Sequence, residues 1–208
     1  MQIAIALYEN FTALDAIGPY ETLGNLPGAE TVLVAEQAGP VRNDRGDLCI
    51  VATRSFAEVT RPDIVIVPGG PDATNQTENT ALLDWLRAVD PTTTWTTSVC
   101  TGSLALAAAG LLHGRRATTH WLAMDTLEGL GARPTGERVV FDGKYVTAAG
   151  VSSGIDMGLT LVGKIQGDMV AQVIQLMTEY DPQPPYDAGS PDKAPAEVVA
   201  YCLGELKV

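Results

Sequence analysis

The amino-acid sequence predicts an α/β sandwich, a mainly parallel central sheet with helices over both faces, and two observations carry that prediction. Short β-branched runs alternate with segments of helical spacing along most of the 208 residues, and such alternation calls for parallel strands joined by right-handed crossovers. The composition, 46% hydrophobic and 18% charged, is globular, and the length suits a single domain with one substantial core.

Taken in order, Gln2 to Tyr8 reads as an apolar strand, and Leu14 to Leu26 has helical spacing with a Gly18-Pro19 break near its start. Glu30 to Glu36 and Asp63 to Val67 are β-branched runs, the second stopped by Pro68-Gly69-Gly70. Thr80 to Val89 reads as a helix, Trp95 to Val99 as a strand and Gly102 to Leu112 as the next helix. A short strand is expected at Arg116 to Thr119, then a helix from His120 to about Leu130. Arg138 to Phe141 and Lys144 to Thr147 flank Asp142-Gly143, the chain's best hairpin signal. A long helical stretch follows from about Ser152 to Thr178, with an interruption expected near Gly167-Asp168. From about residue 180 the proline-rich YDPQPPYDAGSPDKAP should run extended as a surface arm of the same domain, before a last helix from Ala196 to Leu206.

Charge narrows the partners. Thirteen Lys and Arg against 25 Asp and Glu give a net charge of -12, which repels phosphate backbones and anionic lipid, so neither nucleic acid nor a membrane is expected as a partner. No segment offers the roughly 20 apolar residues of a spanning helix, and MQIAIALYENF lacks the basic start and cleavage site of an export signal. A cytoplasmic setting is expected. Cys49, Cys100 and Cys202 are odd in number and far apart, with no CxxC or Cys/His cluster, so neither a disulfide framework nor a metal site is expected.

One cysteine stands apart from the other two. In WTTSVCTGSLALAAAGLL, Cys100 falls where a strand gives way at once to a helix. Parallel α/β sheets bind ligands beyond the carboxyl ends of their strands. A tight strand-to-helix turn lifts the side chain out of the core, and the N–H groups and positive dipole end of the helix favour a thiolate. The corner alone leaves two readings open, a nucleophile or a small buried hydrophobe; for Cys49 and Cys202, which lie at no such corner, the structural reading is preferred. Two other loops are expected at the same sheet edge. Gly69 and Gly70 have the bare backbone that an oxyanion hole needs, although a Gly-Gly after a strand is also an ordinary turn. The other loop is LDAIGPYETL, which puts Asp15 just past the first strand.

LDAIGPYETL, IVPGG, SVCTGSLALAAAGLLHGRRATTHW, GVSSGIDMGL and EYDPQPPYDAGSP together resemble the DJ/ThiJ/PfpI superfamily over nearly the whole chain. Within it, the aspartate of LDxxGP, the Cys-Thr pair and the proline-rich tail are most similar to the isocyanide-hydrating members. The resemblance implies a flavodoxin-like core of the class I glutamine amidotransferase type, a homodimer, no metal or organic cofactor, and an isocyanide as small-molecule substrate. It makes Cys100 the nucleophile, Asp15 its carboxylic acid partner and Thr101 a neighbouring hydrogen-bonding residue. Many superfamily relatives supply a glutamate instead; the nearby Glu21 falls within the predicted helix, where a solvated carboxylate is expected, so Asp15 is preferred. Gly69, Gly70, Gly150 and Val151 are expected as walls and donors of the pocket, with His120 and Trp121 close by; His120 is either a structurally satisfied residue or a general base. Thr101 has two readings, orienting Asp15 or the attacking water, or capping the helix.

The implied chemistry is hydration of R–N≡C to an N-substituted formamide through a cysteine thioimidate, with burial raising the carboxyl pKa of Asp15 and its proton stabilising the thiolate. Three alternatives come with the superfamily. A thiol sensor would use an exposed, low-pKa Cys100. A cysteine peptidase or amidase commonly has histidine beside the nucleophile, where this chain has Thr101. A glyoxalase-like activity on small aldehydes is the third.

Overall fold

The computed structural model describes residues 1–204. Seven strands form one sheet in the order β10-β11-β7-β6-β1-β2-β5. They are β1 (Gln2–Ala6), β2 (Glu30–Ala35), β5 (Arg54–Ser55), β6 (Ile64–Val67), β7 (Trp95–Val99), β10 (Val139–Asp142) and β11 (Tyr145–Ala148). Every pairing is parallel except β10 with β11, the hairpin that Asp142-Gly143 predicted. β6 is buried at all four positions, as a central parallel strand covered on both faces must be. The chain runs outward from β1 to β2 and β5, then returns to place β6 and β7 on the other side of β1. The gap between β1 and β6 is therefore a topological switch point, where loops diverge and leave room for a site.

The helical layers explain where sequence pattern and structure part. α1 (Ala13–Leu23) runs straight through Pro19, so the expected break at Gly18-Pro19 is corrected. The proline withholds only the N–H that would reach the Asp15 carbonyl. In exchange its ring packs on α6 (Ser153–Gln166): a Cβ at Gly154 would lie 3.1 Å from Pro19 Cδ, and one at Gly18 would lie 3.2 Å from Ile155 Cγ1. Tertiary contact outweighs local propensity there. The opposite layer is built from α3 (Thr80–Val89) and α4 (Gly102–Ala108), which stops earlier than its alanine-rich spacing predicted.

The helix expected from His120 is a short 3₁₀ turn at Trp121–Ala123 followed by α5 (Met124–Gly129). The stretch from Ser152 divides at Gly167 into α6 and α7 (Asp168–Met177), where the interruption was expected. α7 exposes Met169, Val173, Leu176 and Met177.

Elements that the sequence pattern did not announce are short. They are the hairpin β3 (Gly39–Arg42) with β4 (Cys49–Ala52), the edge strand β5, α2 (Ala73–Thr77) and β9 (Arg133–Pro134), which pairs with β8 (Arg116–Ala117), the short strand expected from Arg116. The chain divides into two compact units, Met1–Thr178 and Glu179–Val208. The second holds the proline-rich run, a Lys193–Asp187 ion pair at 3.1 Å and α8 (Ala196–Cys202). The last part of the helix expected up to Leu206 lies outside the described residues. Among the described residues no helix is long and apolar enough to cross a membrane.

Candidate active site

Three strand ends meet at the switch point. α1 begins a few residues beyond β1 and carries Asp15 in its first turn, Gly69 and Gly70 follow β6, and Cys100 follows β7. Cys100 has φ 57°, one of three non-glycine residues with positive φ among those described. The elbow is held on both sides. Its N–H is shared between the carbonyls of Ala148 at 3.1 Å and Ala149 at 2.8 Å, and its C=O accepts from Thr119 Oγ1 at 3.0 Å and Ser103 Oγ at 3.3 Å. A strained conformation persists only where its surroundings over-determine it, as they do here.

Asp15 is fully buried. The Gly69 N–H donates to its Oδ2 at 2.8 Å, and the Gly69 C=O accepts from the Thr12 N–H at 2.8 Å, so one glycine clamps the start of α1 from both ends. Only glycine fits there: a Cβ would meet the Thr101 nitrogen at 2.5 Å and Thr101 Oγ1 at 2.6 Å. Asp15 Oδ1 has no nitrogen or oxygen donor, and the Cys100 thiol is one of the polar groups that act on this carboxyl.

Burial pushes the Asp15 carboxyl up to about 7, against the hydrogen bonds from Gly69 and Cys100, with Asp44 adding repulsion. Burial, and after it the Asp15 charge, push Cys100 up to about 12. The N–H groups of Val151 and Thr101 and the Thr101 hydroxyl pull the other way but do not prevail. The acidic thiol expected from the helix start is therefore corrected, because Cys100 is only 5% exposed and desolvation outweighs the nearby donors. With the carboxyl near 7 and the thiol near 12, the two groups hold a single proton between them above neutrality.

Gly69 and Gly70 sit beside the elbow, yet they do not form an open oxyanion hole. The Gly69 N–H is committed to Asp15, and the Gly70 N–H donates to Thr101 Oγ1 at 2.9 Å. Buried N–H groups seldom stay unpaired. The Thr101 side chain does not cap α4; its hydroxyl donates to the Gly70 carbonyl at 2.7 Å and lies beside the Cys100 sulfur, whose charged form it favours.

Val151 is the pocket residue whose N–H reaches the sulfur. His120 packs against Gly150, where a Cβ would lie 3.0 Å from its Cδ2, while its Nδ1 accepts from the Leu122 N–H at 3.3 Å. Burial lowers its pKa, and it lends neither charge nor hydrogen bond to Asp15 or Cys100, so the general-base reading lacks a contact. Trp121 stands against the His120 ring at 6.0 Å. Glu21 is exposed. Cys49 and Cys202 are exposed free thiols. Among the described residues no group of three or more His, Cys, Asp or Glu side chains is placed to hold a metal ion.

Sequence reasoning missed Tyr8 and Thr119. Tyr8, 5% exposed, donates its hydroxyl to the Pro68 carbonyl at 2.7 Å and couples to both Asp15 and Cys100. It also lines a cavity of about 450 Å³ with Val41, Phe56 and Asn75; Cys100 does not line that cavity. The one available signal was a polar-tipped residue at the end of an otherwise apolar strand.

A cysteine elbow at β7, facing an acid from the helix after β1, sits within residues 1–164, which match the model of the DJ-1/PfpI family. The chain belongs to the DJ-1/PfpI family. Among relatives, the isonitrile hydratase of Pseudomonas putida is 44% identical over 199 residues, which cover 96% of this chain and 87% of that protein. The HTH-type transcriptional regulator CdhR of Pseudomonas aeruginosa is 31% identical over 141 residues, 67% of this chain and 41% of the regulator. A solved ThiJ/PfpI family protein from Pseudomonas syringae superposes with a TM-score of 0.94 at 40% identity, covering 98% of this chain and 84% of that one. The DJ-1/PfpI fold extends to oxidised Toxoplasma gondii DJ-1, with a TM-score of 0.75 at 25% identity over 87% of this chain and 99% of that one.

Proposed function

We propose that this protein hydrates isocyanides to N-substituted formamides, and the observation that carries the proposal is the buried Asp15–Cys100 pair. Similarity over nearly the full chain to a protein named for isonitrile, that is isocyanide, hydration supports the reading. So does the chemistry of the pair. The terminal carbon of R–N≡C takes both a nucleophile and a proton, and a pair sharing one proton supplies both.

As the sulfur of Cys100 forms its bond to that carbon, the thiol proton passes through Asp15 to the same carbon, giving R–N=CH–S–Cys100 and leaving Asp15 as a carboxylate. Asp15 then takes a proton from water as the water oxygen adds to the thioimidate carbon. That proton is delivered to nitrogen, the C–S bond breaks, and the second water proton returns to the pair, releasing R–NH–CHO. The thiol need not be acidic in the resting protein, because the acid beside it accepts the proton at the moment of attack. The Val151 N–H supports the sulfur as charge develops on it.

The deciding experiment incubates the purified chain with an alkyl or aryl isocyanide and follows formamide formation. Turnover that disappears in Cys100→Ala is expected; absence of formamide with the wild type overturns the reading. The near-complete burial of Cys100 speaks against an exposed sensor thiol, and the unengaged His120 against a peptidase. We further propose a cytoplasmic protein with reduced thiols that pairs as a homodimer. The apolar row exposed on α7 supports pairing, and light scattering at the dimer or the monomer mass decides it.

A further inference from the structure

We propose that Tyr8 is a positioning residue for Asp15, acting through the single peptide group that joins Pro68 to Gly69. The inference rests on the reading of Asp15 and Cys100 as the reacting pair.

The carbonyl that accepts from the Tyr8 hydroxyl at 2.7 Å and the N–H that donates to Asp15 Oδ2 at 2.8 Å belong to the same amide. Donation to an amide oxygen draws electron density toward it and leaves the N–H a stronger donor, so the two hydrogen bonds reinforce each other. This amide has no freedom to turn elsewhere, since Gly69 is pressed against Thr101 with no space even for a Cβ. Its N–H is also the backbone donor on which the carboxylate depends, because Asp15 Oδ1 has no nitrogen or oxygen donor. Tyr8 therefore governs how firmly the carboxylate form of Asp15 is held without touching substrate.

The groups around this relay can be named. Tyr8 faces Asp15, Cys100 and the side chain of Gln76; Asp15 faces Cys100 and, from the β3–β4 loop, Asp44. Burial first, then the neighbouring Asp15 and Cys100, raise the phenol well above its ordinary value, so the hydroxyl remains a donor throughout the working range.

The test uses Tyr8→Phe, which keeps the ring and removes the donor, in the full chain with Cys49→Ser and Cys202→Ser so that Cys100 alone reacts. The pH dependence of Cys100 alkylation by iodoacetamide is measured beside that of the parent. With a weaker donor the carboxylate is less stabilised, Asp15 keeps its proton to higher pH, and the midpoint of the rise is expected to move up by roughly half a pH unit. A purely structural tyrosine would change rate or stability and leave that midpoint in place. An unchanged midpoint overturns the proposal. Because alkylation requires no isocyanide, this readout stands apart from turnover: absence of formamide with the parent would remove the proposed function, while a shifted midpoint would still establish the Tyr8 relay.

Discussion

Gly158 of α6 and Thr22 of α1 meet so closely that a Cβ on the glycine would lie 1.9 Å from Thr22 Oγ1. That approach lets α1 settle against α6, with Gly18 and Pro19 on the same seam. The helix so seated carries Asp15 seven residues before Thr22, and the placement of the acid follows from the packing of glycines that never touch it.

Gly158→Ala should therefore destabilise the protein and weaken activity together. Alanine is favoured in a helix by about 1 kcal/mol over glycine, but overpacking a filled contact costs about 1–3 kcal/mol, and 1.9 Å is far inside van der Waals contact. A lower urea midpoint with reduced formamide formation is expected; an unchanged midpoint would show that the seam is loose.

The two members of the pair should fail differently. Cys100→Ala removes the nucleophile and abolishes turnover. Asp15→Asn leaves a side chain of the same shape that cannot relay a proton, and a loss of about 10²–10⁴-fold in kcat/KM is expected. Both are read by formamide formation, with circular dichroism to establish that the fold persists.

The rate should follow the charge of the pair. Below about 7 Asp15 is protonated as well as the thiol, and no base is present to take the thiol proton. As pH rises through about 7 one proton leaves, and kcat/KM should climb to a plateau that lasts toward 12, where Cys100 would lose the second. A profile that falls between pH 6 and 8 would contradict the assigned roles.

The same acid makes stability depend on pH. Its carboxyl is raised in the folded state from 3.8 to about 7, so its contribution is fully present below about 4 and is lost as pH rises through 7, by an amount on the order of 4 kcal/mol. Asp15→Asn should remove that loss, and the variant should gain stability over the wild type between pH 4 and pH 8 in urea titrations. Parallel curves for the two proteins would refute the assigned shift.

Much of this was legible in the residue pattern. Long β-branched runs such as DIVIV mark central strands because burial on both faces permits little else, and Asp142-Gly143 marked its hairpin. Cys100 stood out because a strand passes directly into a helix at its position. What stayed hidden depends on contacts between distant residues. The Pro19 break did not occur because α6 accepts the proline ring, and GPVR with CIVA became a hairpin although neither alternates cleanly. The state of the thiol was misjudged for a similar reason: a local rule about helix starts was outweighed by desolvation, which no single segment reveals. Tyr8 was read as the end of an apolar strand, and its link to Asp15 runs through a loop some 60 residues away.

The backbone angle at Cys100 sets a limit on how far this fold could be improved. A non-glycine residue at φ 57° forgoes on the order of 1 kcal/mol that glycine would recover. Selection for a sturdier molecule would thus push this one position toward the residue that cannot attack anything. A library screened for heat resistance alone should drift to Cys100→Gly and return inert survivors, whereas one screened for turnover should keep the sulfur and the tension with it.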